Sequence, residues 1–128
     1  MLKVELSELQ IGDIVNVSFL NGVTKPVRWT KQCFSNRAIV KIEAIEITED
    51  FLLKNGFKLV EGCTSRWYKK VSHKVIYVTK PEGTGSIDIT FPVMCHGYRY
   101  VIYELPINNI HQLQHVCNLC NINIQWEI

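Results

Sequence analysis

Between Ala38 and Ile47 the chain alternates. Val40, Ile42, Ala44 and Glu46 fall on one face, and Ile39, Lys41, Glu43, Ile45 and Ile47 on the other. A period of two is the pattern of a strand with a buried face. It returns at Val15 and Val17, in Ile87, Ile89 and Phe91, and in the β-prone run Tyr98 to Glu104 (YRYVIYE). Turn chemistry punctuates these runs at Ile11-Gly12-Asp13, Asn21-Gly22, Ser35-Asn36, Ser72-His73, Pro81 to Ser86 and Cys95-His96-Gly97. Asn21-Gly22 predicts a two-residue hairpin of type I′, in which both central residues take positive φ. Arg66 to Val71 and Lys74 to Thr79 flank Ser72-His73 and predict a second tight hairpin. Strands joined this closely pair antiparallel.

Two segments break the alternation. Thr48 is an N-cap residue, Glu49 and Asp50 place negative charge at a helix start, Phe51 to Leu53 are apolar, and Asn55-Gly56 ends the segment. A helix this short needs packing to persist. Near the C-terminus, Ile110, Leu113, Val116, Cys117 and Cys120 form one stripe at helical period, with Asn108 or Asn109 able to cap its start and Asn121 its end. Ile122, Ile124 and Trp126 alternate again and predict a final short strand.

The expected architecture is one α+β domain over residues 1–128. Residues 1–47 form an SH3-like antiparallel meander of three or four strands. Residues 48–128 add a short helix, an antiparallel sheet, a C-terminal helix and the terminal strand. The length of 128 residues leaves no room for two full-sized domains, and 47% hydrophobic residues with 20% charged excludes a disordered or low-complexity chain. Neither a signal peptide nor a membrane span is read from the sequence. The five cysteines are scattered and odd in number, which fits free thiols in a reducing cytoplasm.

The net charge of only +2 argues against a whole-molecule field that coats nucleic acid. It conceals one uneven segment. Arg66 to Lys80 (RWYKKVSHKVIYVTK) carries five basic residues and no acid, with aromatics interleaved. Cations neutralise phosphates and aromatic faces stack on unpaired bases, so Arg66, Trp67, Lys69, Lys70 and Lys74 are candidate nucleic-acid contacts. The same pattern also describes a hairpin with one solvated face, its lysines guarding against sheet-to-sheet aggregation. Tyr98 and Tyr100, with Trp29 and Trp67, are candidate anchors for a partner surface, or ordinary strand packing. His111 and His115 share a helix face, and Cys117 and Cys120 form a CxxC. These four are a weak alternative zinc set, since no second pair accompanies them and both cysteines lie on the apolar stripe. The glycine loop Pro81 to Ser86 lacks the lysine and helix start of a phosphate loop. No catalytic constellation is present in the sequence and none of its motifs calls for a cofactor.

Three blocks carry a family resemblance: Glu8 to Val15 (ELQIGDIV), Ile45 to Phe57 (IEITEDFLLKNGF) and Ile110 to Gln114 (IHQLQ). Together they resemble small uncharacterised proteins of Bacteroidetes phages, prophages and mobile elements. Those proteins open on a Gly-Asn turn, carry a Thr-Glu helix ending in Gly-Phe, and close on a His-Gln-Leu-Gln helix. Asp13 stands where the family has Asn and Glu46 where it has Pro. His115 to Cys120 replaces an aromatic, Ala-rich continuation. The resemblance implies a non-enzymatic binding protein of phage or mobile-element origin acting on another protein, with bacterial defence proteins among its implied targets. A nucleic-acid module built on 66–80 is the alternative expectation, and a small-ligand-sequestering protein the third.

Overall fold

A computed structural model describes the backbone of residues 3–72, 74–79, 86–93, 97–103 and 108–128, and the side chains of 3–72, 74–79 and 108–128. The fold is α+β with two antiparallel sheets. Strands β1 (Ile14–Phe19), β2 (Thr24–Arg28) and β3 (Ile39–Ala44) form a sheet of order β2-β1-β3. Helix α1 (Glu49–Lys54) follows. Strands β4 (Lys58–Leu59), β5 (Arg66–Val71), β6 (Lys74–Thr79), β7 (Ser86–Val93) and β8 (Gly97–Tyr103) make a five-stranded sheet in sequence order. Helix α2 (Ile110–Leu119) comes last.

The first hairpin departs from the type I′ expectation. Gly22 has φ +85°, but Asn21 has no positive φ. The Gly22 N–H donates to the Phe19 carbonyl and the Phe19 N–H to the Val23 carbonyl. That is the three-residue loop closed by a left-handed glycine, and Asn21 serves through its side chain, accepting from the Val23 N–H at 3.0 Å. The second hairpin follows the expected bounds: Val71 pairs with Lys74, and Ser72 takes φ +57°. His73 lies outside the described residues, as do Lys80 to Gly85, Met94 to His96 and Glu104 to Ile107.

Both helices are capped as their sequences predict. Thr48 Oγ1 accepts from the Phe51 N–H at 3.2 Å. At the end of α2, Asn121 adopts φ +56°, its N–H donates to Asn118 O, and the Ile122 N–H reaches Cys117 O at 2.8 Å. This paired closure uses Asn121 one residue beyond the cap. The expected terminal strand is absent: residues 122–128 pair in no ladder. Ile122 and Trp126 are nonetheless buried, while Asn123, Gln125 and Glu127 are exposed. Side chains satisfy the tail instead. Asn55 Oδ1 accepts from the Glu127 N–H at 2.7 Å, its Nδ2 donates to Glu127 O, and Arg28 donates to Trp126 O. Alternating burial needs a surface to lie on, and here that surface is side chains.

Two apolar clusters result. One, formed by the three-stranded sheet, the N-terminal segment and the start of the β2–β3 connection, holds Val4, Leu9, Val15, Val17, Trp29, Ile42 and Ala44. The larger gathers α1, α2, the tail and one face of β5 and β6 around Phe51, Phe57, Trp67, Ile76, Leu113 and Trp126. Ile14, at the start of β1, belongs to the larger cluster, so β1 serves both.

Candidate binding face

The described side chains of the five-stranded sheet, those of β4, β5 and β6, divide into a row covered by the helices and a second, more open row. Cross-strand register decides which residue goes where, because paired residues share a face. Trp67 pairs with Val78, Lys69 with Ile76, and Val71 with Lys74. Trp67, Ile76 and Val78 are buried in the larger cluster, so this row faces the helices. Arg66 pairs with Thr79, Tyr68 with Tyr77, and Lys70 with Val75. Among the described residues, neither apolar cluster contains a member of this second row.

The basic-aromatic segment therefore divides. Trp67, a candidate contact by sequence, is a core residue at 6% exposure. Lys69 and Lys74 also lie on the covered face. The Lys69 ammonium donates to the Asn55 carbonyl at the end of α1, and Lys74 donates to the Cys120 carbonyl at 2.7 Å, at the end of α2. Each cation meets the negative end of a helix, where free carbonyls accumulate. Arg66 and Lys70 are the two candidates that the open row retains. The Arg66 guanidinium lies over the Tyr77 ring at 4.5 Å and donates to Thr79 Oγ1 at 3.3 Å. Tyr68 and Tyr77 stand 6.4 Å apart in a tilted pair. Lys70 is exposed, and Lys58, paired with Tyr68 from β4, is exposed beside it. Tyr68, Tyr77 and Lys58 were not singled out as contacts from sequence. Strand parity could have found them: Arg66, Tyr68 and Lys70 alternate with Trp67, Lys69 and Val71.

Along the backbone the open row continues into β7 and β8. Val75 pairs with Thr90 and Tyr77 with Asp88, while Thr90 pairs with Tyr100 and Pro92 with Tyr98. Tyr98 and Tyr100 thus hold register positions in line with this row.

The histidine and cysteine set does not converge. Among the described residues no group of three or more His, Cys, Asp or Glu is placed to hold a metal ion. Cys117 and Cys120 pack in the larger cluster, and burial, followed by the neighbouring Cys120, pushes the Cys117 thiol up to about 12. A thiol held protonated is a poor ligand and a poor nucleophile. His115 Nε2 lies 2.8 Å from Asp13, whose carboxylate is almost fully buried. His111 stacks edge-on against His115 at 5.7 Å, and its Nδ1 is buried with no hydrogen-bond partner among the described residues. Burial holds the His111 imidazole below its usual value. Asp13 and Glu8 pull upward against that, and His115 adds to the depression. Cys33 and Cys63 are free and half-buried, and Cys95 lies outside the described residues, as does most of the Pro81 to Ser86 loop. No described helix is long and apolar enough to cross a membrane.

Compared with known proteins, the chain matches no family model, no curated protein and no solved structure.

Proposed function

We propose that the chain is a non-enzymatic binding module that takes single-stranded nucleic acid on the open face of its five-stranded sheet. The observation that carries this reading is the open row itself: Arg66 over Tyr77, Tyr77 beside Tyr68, and Lys58 and Lys70 at its margin. Strands β5 and β6 contribute no acid to it. Two neighbouring rings and a guanidinium plane are platforms on which successive unpaired bases stack, and the lysines meet the phosphates between them. Tyr98 and Tyr100 hold backbone register positions in line with it.

Anisotropy of labelled short oligonucleotides tests it. If Lys58, Arg66 and Lys70 each neutralise a phosphate, log K falls against log salt with a slope of about −2. Tyr68→Ala weakens binding about 5- to 150-fold, the equivalent of ~1–3 kcal/mol per stacked base. Lys70→Ala makes the slope shallower by about 0.7. Unchanged affinity in folded Tyr68→Ala and Lys70→Ala proteins would sink the reading.

A second reading follows the resemblance to phage and mobile-element proteins: a cytoplasmic factor that binds a host or phage protein. Its support is at the β1–β2 turn of the three-stranded sheet. Leu20 and Val23 are 71% and 46% exposed at the β1–β2 turn, where with Phe19 and Lys25 they line a shallow pocket. The β2-β1-β3 sheet, flanked by a 3-10 turn at Lys31–Ser35, is on this reading an SH3-like barrel offering its turn to the partner. Leu20→Glu separates the two readings. It abolishes partner capture and spares oligonucleotide binding.

A further inference from the structure

Three exposed apolar side chains beside the three-stranded sheet meet at one place. Leu6 comes from the N-terminal segment, Phe34 from the 3-10 turn and Val40 from β3, and all three line a cleft of about 210 Å³. Exposed apolar residues scattered singly are ordinary, but gathered on a concavity they mark a binding site. The buried side chains of Val4, Trp29 and Ile42 complete the apolar wall. Most of the polar lining is already engaged. Lys3 faces Glu5 at 3.9 Å and Lys41 faces Glu43 at 3.5 Å, so the charge at the rim is balanced. Asn36 Oδ1 accepts from the Ala38 N–H, and the Cys33 thiol lies 3.2 Å from Thr30 Oγ1. Trp29 is the exception. Its side chain is buried, the residue being 1% exposed, and its indole Nε1 has no hydrogen-bond partner among the described residues. A buried donor without an acceptor is costly, and native interiors leave few of them.

We propose that this cleft binds a small neutral molecule, an apolar body carrying one carbonyl-type acceptor that takes the Trp29 N–H. Each part of that description comes from the lining. The apolar wall and its exposed margin call for the apolar body. The balanced rim offers a net charge no free partner, so the ligand is neutral. The orphan donor calls for the acceptor. At ~30 Å³ for each water-sized group the cleft holds about seven of them, the size of a substituted six-membered ring. Phe34 stands edge-on to Trp29 at 5.4 Å and is itself exposed, so it can give way as the acceptor reaches the N–H. The cleft shares no residue with the row of Arg66, Tyr68 and Tyr77, and its ligand is independent of whether that row binds nucleic acid.

Acetophenone tests it on the full chain, with ethylbenzene as the same shape lacking the acceptor. Nitrogen-labelled tryptophan gives one indole N–H signal for each of the three tryptophans, and Trp29→Phe identifies the one that belongs to Trp29. That signal moves with acetophenone and saturates, while those of Trp67 and Trp126 stay in place. Acetophenone binds about tenfold tighter than ethylbenzene, the equivalent of ~1.4 kcal/mol for the recovered bond. In Trp29→Phe, followed through the ligand's own signals, the two probes bind alike. Val40→Glu, at a position 57% exposed, abolishes the binding of both. A Trp29 signal that never moves overturns the proposal, as does ethylbenzene binding the wild-type chain as tightly as acetophenone. Benzoate binding more tightly than acetophenone overturns the neutral ligand and gives the cleft to an anion. Undiminished binding to folded Val40→Glu puts the probe outside the cleft and overturns it equally.

Discussion

Gln114 joins helix to strand with one amide. Its Oε1 accepts from the Ile14 N–H and its Nε2 donates to the Gly12 carbonyl, both at 2.8 Å, and the side chain is 4% exposed. Gln114→Ala strands two backbone groups, at ~1–3 kcal/mol for each buried group left unpaired. The expected loss is about 2–6 kcal/mol in urea denaturation, with the secondary structure content retained. One turn before it, His111 makes stability depend on pH with a definite sign. Its folded-state value is depressed, chiefly by burial, with Asp13, Glu8 and His115 the charged groups around it. Below the ordinary value of 6.5 the unfolded chain binds a proton there that the folded chain declines. The unfolded state then holds more protons, so stability falls as pH drops from 6.5 and levels off below the folded-state value. His111→Gln removes this contribution. Urea midpoints at about pH 7.5 and about pH 5.5 differ less in the variant than in the wild type. An equal pH dependence in both proteins would show that His111 titrates alike folded and unfolded.

The hairpin of β5 and β6 shows what an element discloses and what it withholds. Its bounds were legible because alternation and a two-residue turn are local signals, and the same holds for the capped helices α1 and α2. Its division into faces was written in the same alternation, yet the segment's charge was read as one patch. What the local sequence could not show is that Lys69 and Lys74 meet helix ends 14 and 46 residues away. The terminal strand failed for the related reason that alternation reports burial and not pairing. These two lysines give a crossed prediction. Lys69→Met and Lys74→Met each lose a cation at a helix C-terminus, worth ~0.3–1 kcal/mol and up to ~2 where partly buried. They lower the thermal midpoint and leave oligonucleotide affinity unchanged. Lys70→Met does the reverse. Gly56→Ala belongs to the same contact: Gly56 has φ +81°, and a Cβ there would sit 3.1 Å from the Lys69 ammonium. It destabilises by about 1–2 kcal/mol from the left-handed backbone alone.

At the scale of the whole chain, residue 48 marks a change of pattern and not a seam in the packing. The sequence shows meander, then helix and sheet, and it shows nothing of the contacts that join them. Those contacts span about a hundred positions: Gln114 to Gly12 and Ile14, His115 to Asp13, Arg28 to Trp126. Strand β1 sends Ile14 to the larger cluster and Val15 and Val17 to the smaller one. Residues 45–47 also bond to 108–110, through Ile47 N–H to Asn108 O at 2.8 Å and Ile110 N–H to Ile45 O at 2.9 Å. Ties of this kind make two clusters unfold as one. The three tryptophans supply the means to see it, since Trp29 reports the smaller cluster and Trp67 and Trp126 the larger. With Trp67 and Trp126 changed to Phe, fluorescence follows Trp29 alone while circular dichroism follows both sheets. The two midpoints coincide if the chain is one cooperative unit. Leu113→Ala, made at a fully buried position of the larger cluster, costs about 3–5 kcal/mol. In the same background it lowers the Trp29 midpoint as far as the dichroism midpoint, although Leu113 belongs to the other cluster. A Trp29 transition that stays in place while the dichroism shifts would divide the chain near residue 48 into two independent units.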